Sequence, residues 1–190
     1  MFGTTILIKM NKVIVMSLNI DLFYFINNGL ANLFFDAVMP ILCDCGGFVT
    51  LLALCILAIL VLKYYLKNEK YLKIAKMCLY ALVLSGIIAA CLKLAYQSPR
   101  PFMQLEHVRQ LVVPTEPNSF PSGHTSSSVS VVTVLVWCLR DKKILITLLI
   151  AFAILIAFAR VYVGVHYPFD VVVGAGVGVV SGVVVLKLKG

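Results

Sequence analysis

The sequence predicts an all-α membrane protein: a polytopic helical bundle of five or six transmembrane helices with an interfacial N-terminal region. Three observations carry this. Hydrophobic residues make up 62% of the 190, and mean hydropathy is +1.03, whereas a soluble domain is usually about half apolar or less. The apolar residues fall in runs of roughly 17 to 25, the length that crosses a bilayer as a helix. The charges lie between those runs. A helix satisfies its own backbone groups inside hydrocarbon and an open sheet does not, so the class is helical.

In chain order, residues 1–19 place Lys9 and Lys12 on a short apolar stretch. No small-residue cleavage pattern closes it, so no cleaved leader is expected, although Met10 offers a second possible start. Residues 20–44 mix Phe23, Phe25, Phe34 and Phe35 with Asp21, Asn27, Asn28, Asn32 and Asp36. That stretch is read either as helices lying at the interface or as a poor first span broken near Gly29. Clear spans follow at about Phe48–Leu62, Ile74–Tyr96, His124–Leu139, Ile144–Ala159 and Phe169–Leu186. The last carries Gly174, Gly178 and Gly182, a spacing that lets helices approach closely. The whole is read as one integral membrane domain over 1–190, with a core at 20–186.

One connection is long. Gln97–Ser122 holds Pro99, Pro101, Pro114, Pro117 and Pro121, and a long loop among short ones is more often functional. Its mix of apolar and polar residues fits a cap over a site.

The net charge of +8 raises nucleic acid as a partner, but the cations form no continuous basic face, so none is expected. Lys63, Lys67, Lys70, Lys73, Lys76, Arg140, Lys142, Lys143, Lys187 and Lys189 fall on one side by alternation of the spans. The positive-inside rule makes that side cytoplasmic. Lys9 and Lys12 join them if residues 20–44 cross. Lys93, Arg100, Arg109 and Arg160 remain on or near the outer side, where topology does not ask for cations. A cation in such a place is a functional candidate.

Of the six cysteines, most lie in or at the ends of apolar runs, where Cys acts as a small hydrophobe. Cys43-Asp44-Cys45 lacks a second ligand pair nearby, so no metal is expected there; a disulfide stays open.

Three clusters converge on the outer helix ends: Lys93 to Arg100-Pro101, Phe120-Pro121-Ser122-Gly123-His124-Thr125, and Arg160 to His166 and Asp170. The cations suit phosphate oxygens. A helix opening near Ser122 aims free N–H groups and its positive dipole end at an anion, and Gly123 lets backbone approach a ligand. One histidine suits nucleophilic attack on phosphorus and the other protonation of the leaving oxygen. Asp170, four residues after His166, is spaced to hold a ring nitrogen. Each residue alone has an ordinary reading: Lys93 snorkelling to the interface, Arg160 at a helix C-terminus, Asp170 at an N-terminus, the histidines as interfacial polar groups. Together those readings require coincidence.

Lys93-x6-Arg100-Pro101, Pro121-Ser122-Gly123-His124 and Arg160-x5-His166-x3-Asp170 resemble the three-part signature of the type 2 phosphatidic acid phosphatase superfamily, which includes polyprenyl-diphosphate phosphatases and vanadium haloperoxidases. The signature covers residues 93–170, and the layout of spans extends the likeness over about 20–186. The resemblance implies a lipid phosphate or diphosphate as substrate and His166 as the nucleophile that forms a phosphohistidine. It also implies Asp170 as its orienting acid and His124 as general acid. Lys93, Arg100, Arg160, Ser122 and the Gly123 amide would hold the phosphoryl oxygens, with no cofactor or metal. One departure is Ala159, where the family usually has Ser. The leading reading is hydrolysis of an undecaprenyl-type diphosphate at the outer face, with phosphatidic acid or phosphatidylglycerol phosphate as the close alternative. Vanadate-dependent oxidation and a non-catalytic lipid-binding protein are the other classes.

Overall fold

Apolar length decides most of this architecture. The computed structural model of the protein describes residues 16–189, so Lys9, Lys12 and the question of a second start lie outside the described residues. Among the described residues all regular structure is helical: α1 (Met16–Gly29), α2 (Leu33–Cys45), α3 (Phe48–Tyr65), α4 (Glu69–Tyr96), a short α5 (Pro101–Gln104), α6 (Gly123–Cys138), α7 (Lys143–Tyr162) and α8 (Pro168–Lys189). The helices α3, α4, α7 and α8 are long and apolar enough to cross a membrane.

Residues 20–44, given two readings above, lie in a bent pair of helices. Helices α1 and α2 meet at a bend of 116°. Asn32 starts α2 by accepting a hydrogen bond from the Phe35 N–H at 2.9 Å, which satisfies one of the orphan donors of a new helix. The chain has therefore stopped one helix and begun another just after Gly29, as the cluster of Asn and Gly residues anticipates.

The third expected span is different from its neighbours. Helix α6 has 16 residues, about 24 Å at the α-helical rise, and carries buried Ser126, Ser127, Ser128 and Ser130. It packs against α3, α4, α7 and α8, and the hydroxyls of Ser126, Ser128 and Ser130 each return a hydrogen bond to a main-chain carbonyl of their own helix. A polar helix of that length is tolerable because other helices surround it.

Helices α6 and α8 run side by side with matched starts. A Cβ added at Gly174 would lie 2.7 Å from Ser122 O, and one at Gly178 would lie 2.7 Å from Ser126 O. Gly182 meets Thr133 in the same way, while Gly176 faces open space. The four-residue glycine spacing is thus the surface on which α8 seats against α6, and that contact brings the first turns of the two helices together. The Ser122 N–H donates to Asp170 O at 3.0 Å across it.

A second set of contacts ties α1 and α2 to the long loop and the end of α7. The buried Asn27 side chain donates to Tyr162 O at 2.7 Å and to Arg109 O at 2.9 Å, and its Oδ1 accepts from the Arg109 N–H. Arg109 pairs with Asp36, which also accepts from the Tyr162 hydroxyl at 2.6 Å. Gly164 permits this loop to approach: its φ is +82°, and a Cβ there would sit 2.5 Å from Arg109 O, a position only glycine fills without strain. Arg109 is therefore the cation of the long loop whose charge is used inside the fold. The six cysteines are free thiols.

Candidate active site

Each of the three sequence clusters reaches the same cavity by a different route. Helix α4 ends at Gln97 in the left-handed region, φ +41°, which turns the chain out of the helix one turn past Lys93. The loop then runs over the helix ends and returns to Ser119, whose N–H donates to Ser98 O at 2.7 Å. Helix α6 starts at Ser122, which makes no side-chain capping bond, so its first N–H groups are not taken up by a cap. Helix α7 closes with Arg160, and His166 stands just ahead of Pro168, the residue that opens α8.

Six of the eight expected residues line one cavity of about 700 Å³: Lys93, Arg100, Gly123, His124, Arg160 and His166. Loop residues Val112 to Glu116 line it as well, in the capping position expected of that loop. Arg100 is 3% exposed and donates through Nε to Glu116 O and through Nη1 to Val165 O, each at 2.8 Å. Its Nη1 also lies 3.5 Å from His166 Nε2. Lys93 Nζ donates to Asn118 O at 2.7 Å and pairs with Glu116 at 3.2 Å; the Glu116 side chain is 60% exposed, so this pair holds Lys93 only weakly. Arg160 is 5% exposed, and its Nε has no hydrogen-bond partner among the described residues. Buried donors are normally paired, so an unpaired guanidinium nitrogen in this wall marks a place for an acceptor.

Two expected residues stand behind the wall. Ser122 is fully buried, and its Oγ accepts from the Thr125 hydroxyl at 3.0 Å; it does not line the cavity, so it shapes the start of α6 where a direct phosphate contact was expected. Asp170 is also outside the lining. Its Oδ2 is 3.6 Å from His166 Nδ1, beyond hydrogen-bond length, where the spacing had implied a direct bond. Ser119, 0% exposed, touches both from beside them: its Oγ is 3.3 Å from His166 Nδ1 and donates a hydrogen bond to Asp170 Oδ2. Asp170 Oδ2 further accepts the Tyr167 N–H at 2.9 Å.

Sequence reasoning did not single out Ser119, Asp44, Gly47, Ser126 or Ser127, and all but Ser119 line the cavity itself. Gly47 lies against the His124 imidazole: a Cβ there would be 3.4 Å from Nε2, ordinary contact. Ser119 lies two residues before Pro121, so its closeness to the second motif was the available signal.

Burial, then the nearby charges of Arg160, Arg100 and Lys93, push the His166 imidazole well below its ordinary value. At neutral pH the ring is an uncharged base, which is the form a nucleophile needs. Three cations, two imidazoles and one screened carboxylate are thus gathered around one cavity with an unpaired donor, a combination suited to an anion.

The cavity also has an apolar side. Val49, Val83 and Ile87 line it and are exposed on the outside of the bundle, at 76%, 40% and 57%. It therefore opens sideways between α3 and α4, at the level of apolar helix surface.

Comparison with known proteins agrees on one family. The model of the PAP2 superfamily matches residues 75–190. Over 101 residues, 53% of this chain and 48% of the relative, the chain is 35% identical to the bacitracin transport permease protein BcrC of Bacillus licheniformis. Over 96 residues, 50% of this chain and 48% of the relative, it is 34% identical to undecaprenyl-diphosphatase BcrC of Bacillus subtilis strain 168. The matched stretch thus spans about half the length of these relatives. The crystal structure of Aquifex aeolicus LpxE superposes with a TM-score of 0.75 at 33% identity, covering 90% of this chain and 95% of that one. A transmembrane PAP2-type phosphatidylglycerolphosphate phosphatase from Bacillus subtilis superposes with a TM-score of 0.76 at 22% identity, covering 92% and 85%, a likeness of fold.

Proposed function

The chain belongs to the PAP2 superfamily, and we propose that it is a membrane lipid phosphatase that cleaves an undecaprenyl-type diphosphate through a phosphohistidine. The observation that carries this reading is the single cavity that joins both histidines and three cations to an apolar opening between α3 and α4. A soluble phosphate ester needs no such opening, whereas a lipid presents its phosphate from within the bilayer.

The steps follow from the positions of the groups. The terminal phosphoryl group binds among Lys93, Arg100 and Arg160, with the Gly123 amide at the start of α6. Arg160 Nε gains the acceptor it lacks. His166 Nε2 attacks phosphorus, an N–P bond forms, and the bond to the bridging oxygen breaks. His124, protonated in step with binding of the anionic phosphate, gives its proton to that oxygen, so the lipid monophosphate leaves neutralised at the cleaved position. His124, now unprotonated, takes a proton from water as the water attacks phosphorus. The N–P bond breaks and inorganic phosphate departs. The cations hold charge that develops on the equatorial oxygens, which is where most of the rate enhancement in phosphoryl transfer arises.

Diphosphate is preferred over monophosphate in this reading because matched relatives include an undecaprenyl-diphosphatase. The test is phosphate release by purified protein from undecaprenyl diphosphate, phosphatidic acid, phosphatidylglycerol phosphate and a soluble ester. The expected order puts the long-chain diphosphate first by at least about tenfold in kcat/KM. A preference for the soluble ester sinks the lipid assignment, and a preference for a glycerolipid moves the enzyme to that class.

The site is read as extracytoplasmic. Lys63, Lys67, Lys70, Arg140, Lys142, Lys143, Lys187 and Lys189 gather at the helix ends opposite the site, which the positive-inside rule turns toward the cytoplasm. A membrane-impermeant thiol reagent should label a Glu106→Cys variant (with Cys45 and Cys91 replaced by Ser) in intact cells. Labelling only after lysis reverses the orientation.

A further inference from the structure

We propose that Ser119 is a positioning residue for phosphoryl transfer, its hydroxyl joining the ring of the nucleophile His166 to the carboxylate of Asp170. The inference rests on the reading of His166 as nucleophile. Its starting point is a distance: the carboxylate oxygen Asp170 Oδ2 is 3.6 Å from His166 Nδ1, too far for a hydrogen bond. Ser119 Oγ touches both groups from beside them, 3.3 Å from Nδ1 and donating to Oδ2.

A hydroxyl has one proton and two lone pairs. With its proton given to Asp170, Ser119 presents a lone pair to the ring, so the nitrogen facing it must carry the ring proton. That places the proton on Nδ1 and frees the Nε2 lone pair. The other side of the ring agrees, because Arg100 Nη1, which has only hydrogens to offer, lies 3.5 Å from Nε2. When Nε2 bonds to phosphorus the ring gains positive charge, and the polarised Nδ1–H···Oγ–H···Oδ2 chain carries part of it to Asp170.

The hydroxyl has little freedom to be elsewhere. Ser119 is 0% exposed, and its N–H is held by Ser98 O. The preceding residue, Asn118, accepts from Lys93 Nζ and donates back to Lys93 O at 3.4 Å. The loop that carries the hydroxyl is thus fastened to the same lysine that faces the phosphate, so one anchor sets both. The Ser119 main-chain carbonyl also faces the His166 ring, and the experiment must separate backbone from hydroxyl.

Steady-state phosphate release from undecaprenyl diphosphate makes that separation. Ser119→Ala is expected to lower kcat about 10- to 100-fold with KM within twofold, the range seen when an outer partner of an imidazole is removed. Ser119→Thr, which keeps the hydroxyl, should recover most of it. In an Asp170→Asn background the same Ser119→Ala change should cost no more than about threefold, since the hydroxyl then has no carboxylate to reach. A buried serine of purely structural value would give neither the threonine recovery nor the loss of effect. Unchanged kcat in Ser119→Ala shows that the carbonyl alone orients the ring and overturns the proposal, as does a full multiplicative loss in the double variant. If Ser119→Ala fails to accumulate, Ser119→Cys serves: the thiol is close in shape but a weak donor and acceptor, and wild-type kcat in it overturns the proposal too. Turnover surviving in His166→Ala would remove the nucleophile reading itself. An inactive His166→Ala beside an unimpaired Ser119→Ala would remove only the hydroxyl's role.

Discussion

His166→Ala is expected to lower phosphate release from lipid diphosphate by about 10⁴-fold or more and to leave no acid-labile phosphoenzyme. The magnitude follows from what remains. Alanine offers no nitrogen to phosphorus, and the only other imidazole in the cavity is His124 on α6, placed beside Gly47 and away from the Asp170 carboxylate. The cations are untouched, so binding should survive. Inorganic phosphate should still protect the variant against thermal unfolding, through Arg160, Arg100 and Lys93. Loss of turnover with retained protection locates the defect in bond making. The ring is 1% exposed, so truncation leaves a void that costs stability; His166→Gln keeps most of the volume and should be equally inactive. Turnover above about a tenth of wild type in either variant would mean that water attacks phosphorus directly at this site.

How far the sequence could anticipate this site depends on the distance over which each feature is decided. The spans were legible because apolar length is a local property: Phe48–Tyr65, Glu69–Tyr96, Lys143–Tyr162 and Pro168–Lys189 each begin and end within a few residues of the apolar runs. The glycines of α8 were legible for the same reason. Lys93, Arg100, His124, Arg160 and His166 could be gathered because each sits at a helix end, and alternation of spans puts those ends together. What stayed hidden depended on side-chain direction or on distant pairing. Ser122 was placed correctly at the start of α6, but nothing in its neighbours told that its hydroxyl turns to Thr125. Arg109 was grouped with the outer cations, yet its charge goes to Asp36, 73 residues away, through a contact that needs the bend between α1 and α2. Ser119 and Asp170 are 51 residues apart, and only the closed loop shows that a hydroxyl touches both members of the pair that the i, i+4 spacing had joined directly.

The same geometry separates the two histidines, and His124→Ala is where they should part. This variant keeps the nucleophile, the three cations and the Ser119–Asp170 partners of the ring, and loses the proton source for the leaving oxygen. Its cost should therefore depend on the leaving group. With undecaprenyl diphosphate, whose leaving group is a lipid monophosphate, kcat should fall about 10²- to 10⁴-fold, the range for general acid catalysis. With an aryl phosphate whose phenolate leaves unaided, formation of the phosphohistidine should slow by less than about tenfold. The second half-reaction still lacks the base that takes a proton from water, so phosphoenzyme should build up as a burst close to one phosphate per protein, followed by slow release. The two effects come from one imidazole used twice, as acid and then as base. Equal losses on lipid and aryl substrates, with no burst, would place His124 in phosphate binding and take proton transfer away from it. A burst in His124→Ala that vanishes when His166→Ala is added would order the two residues in the reaction: His166 accepts the phosphoryl group, and His124 moves the protons on either side of that event.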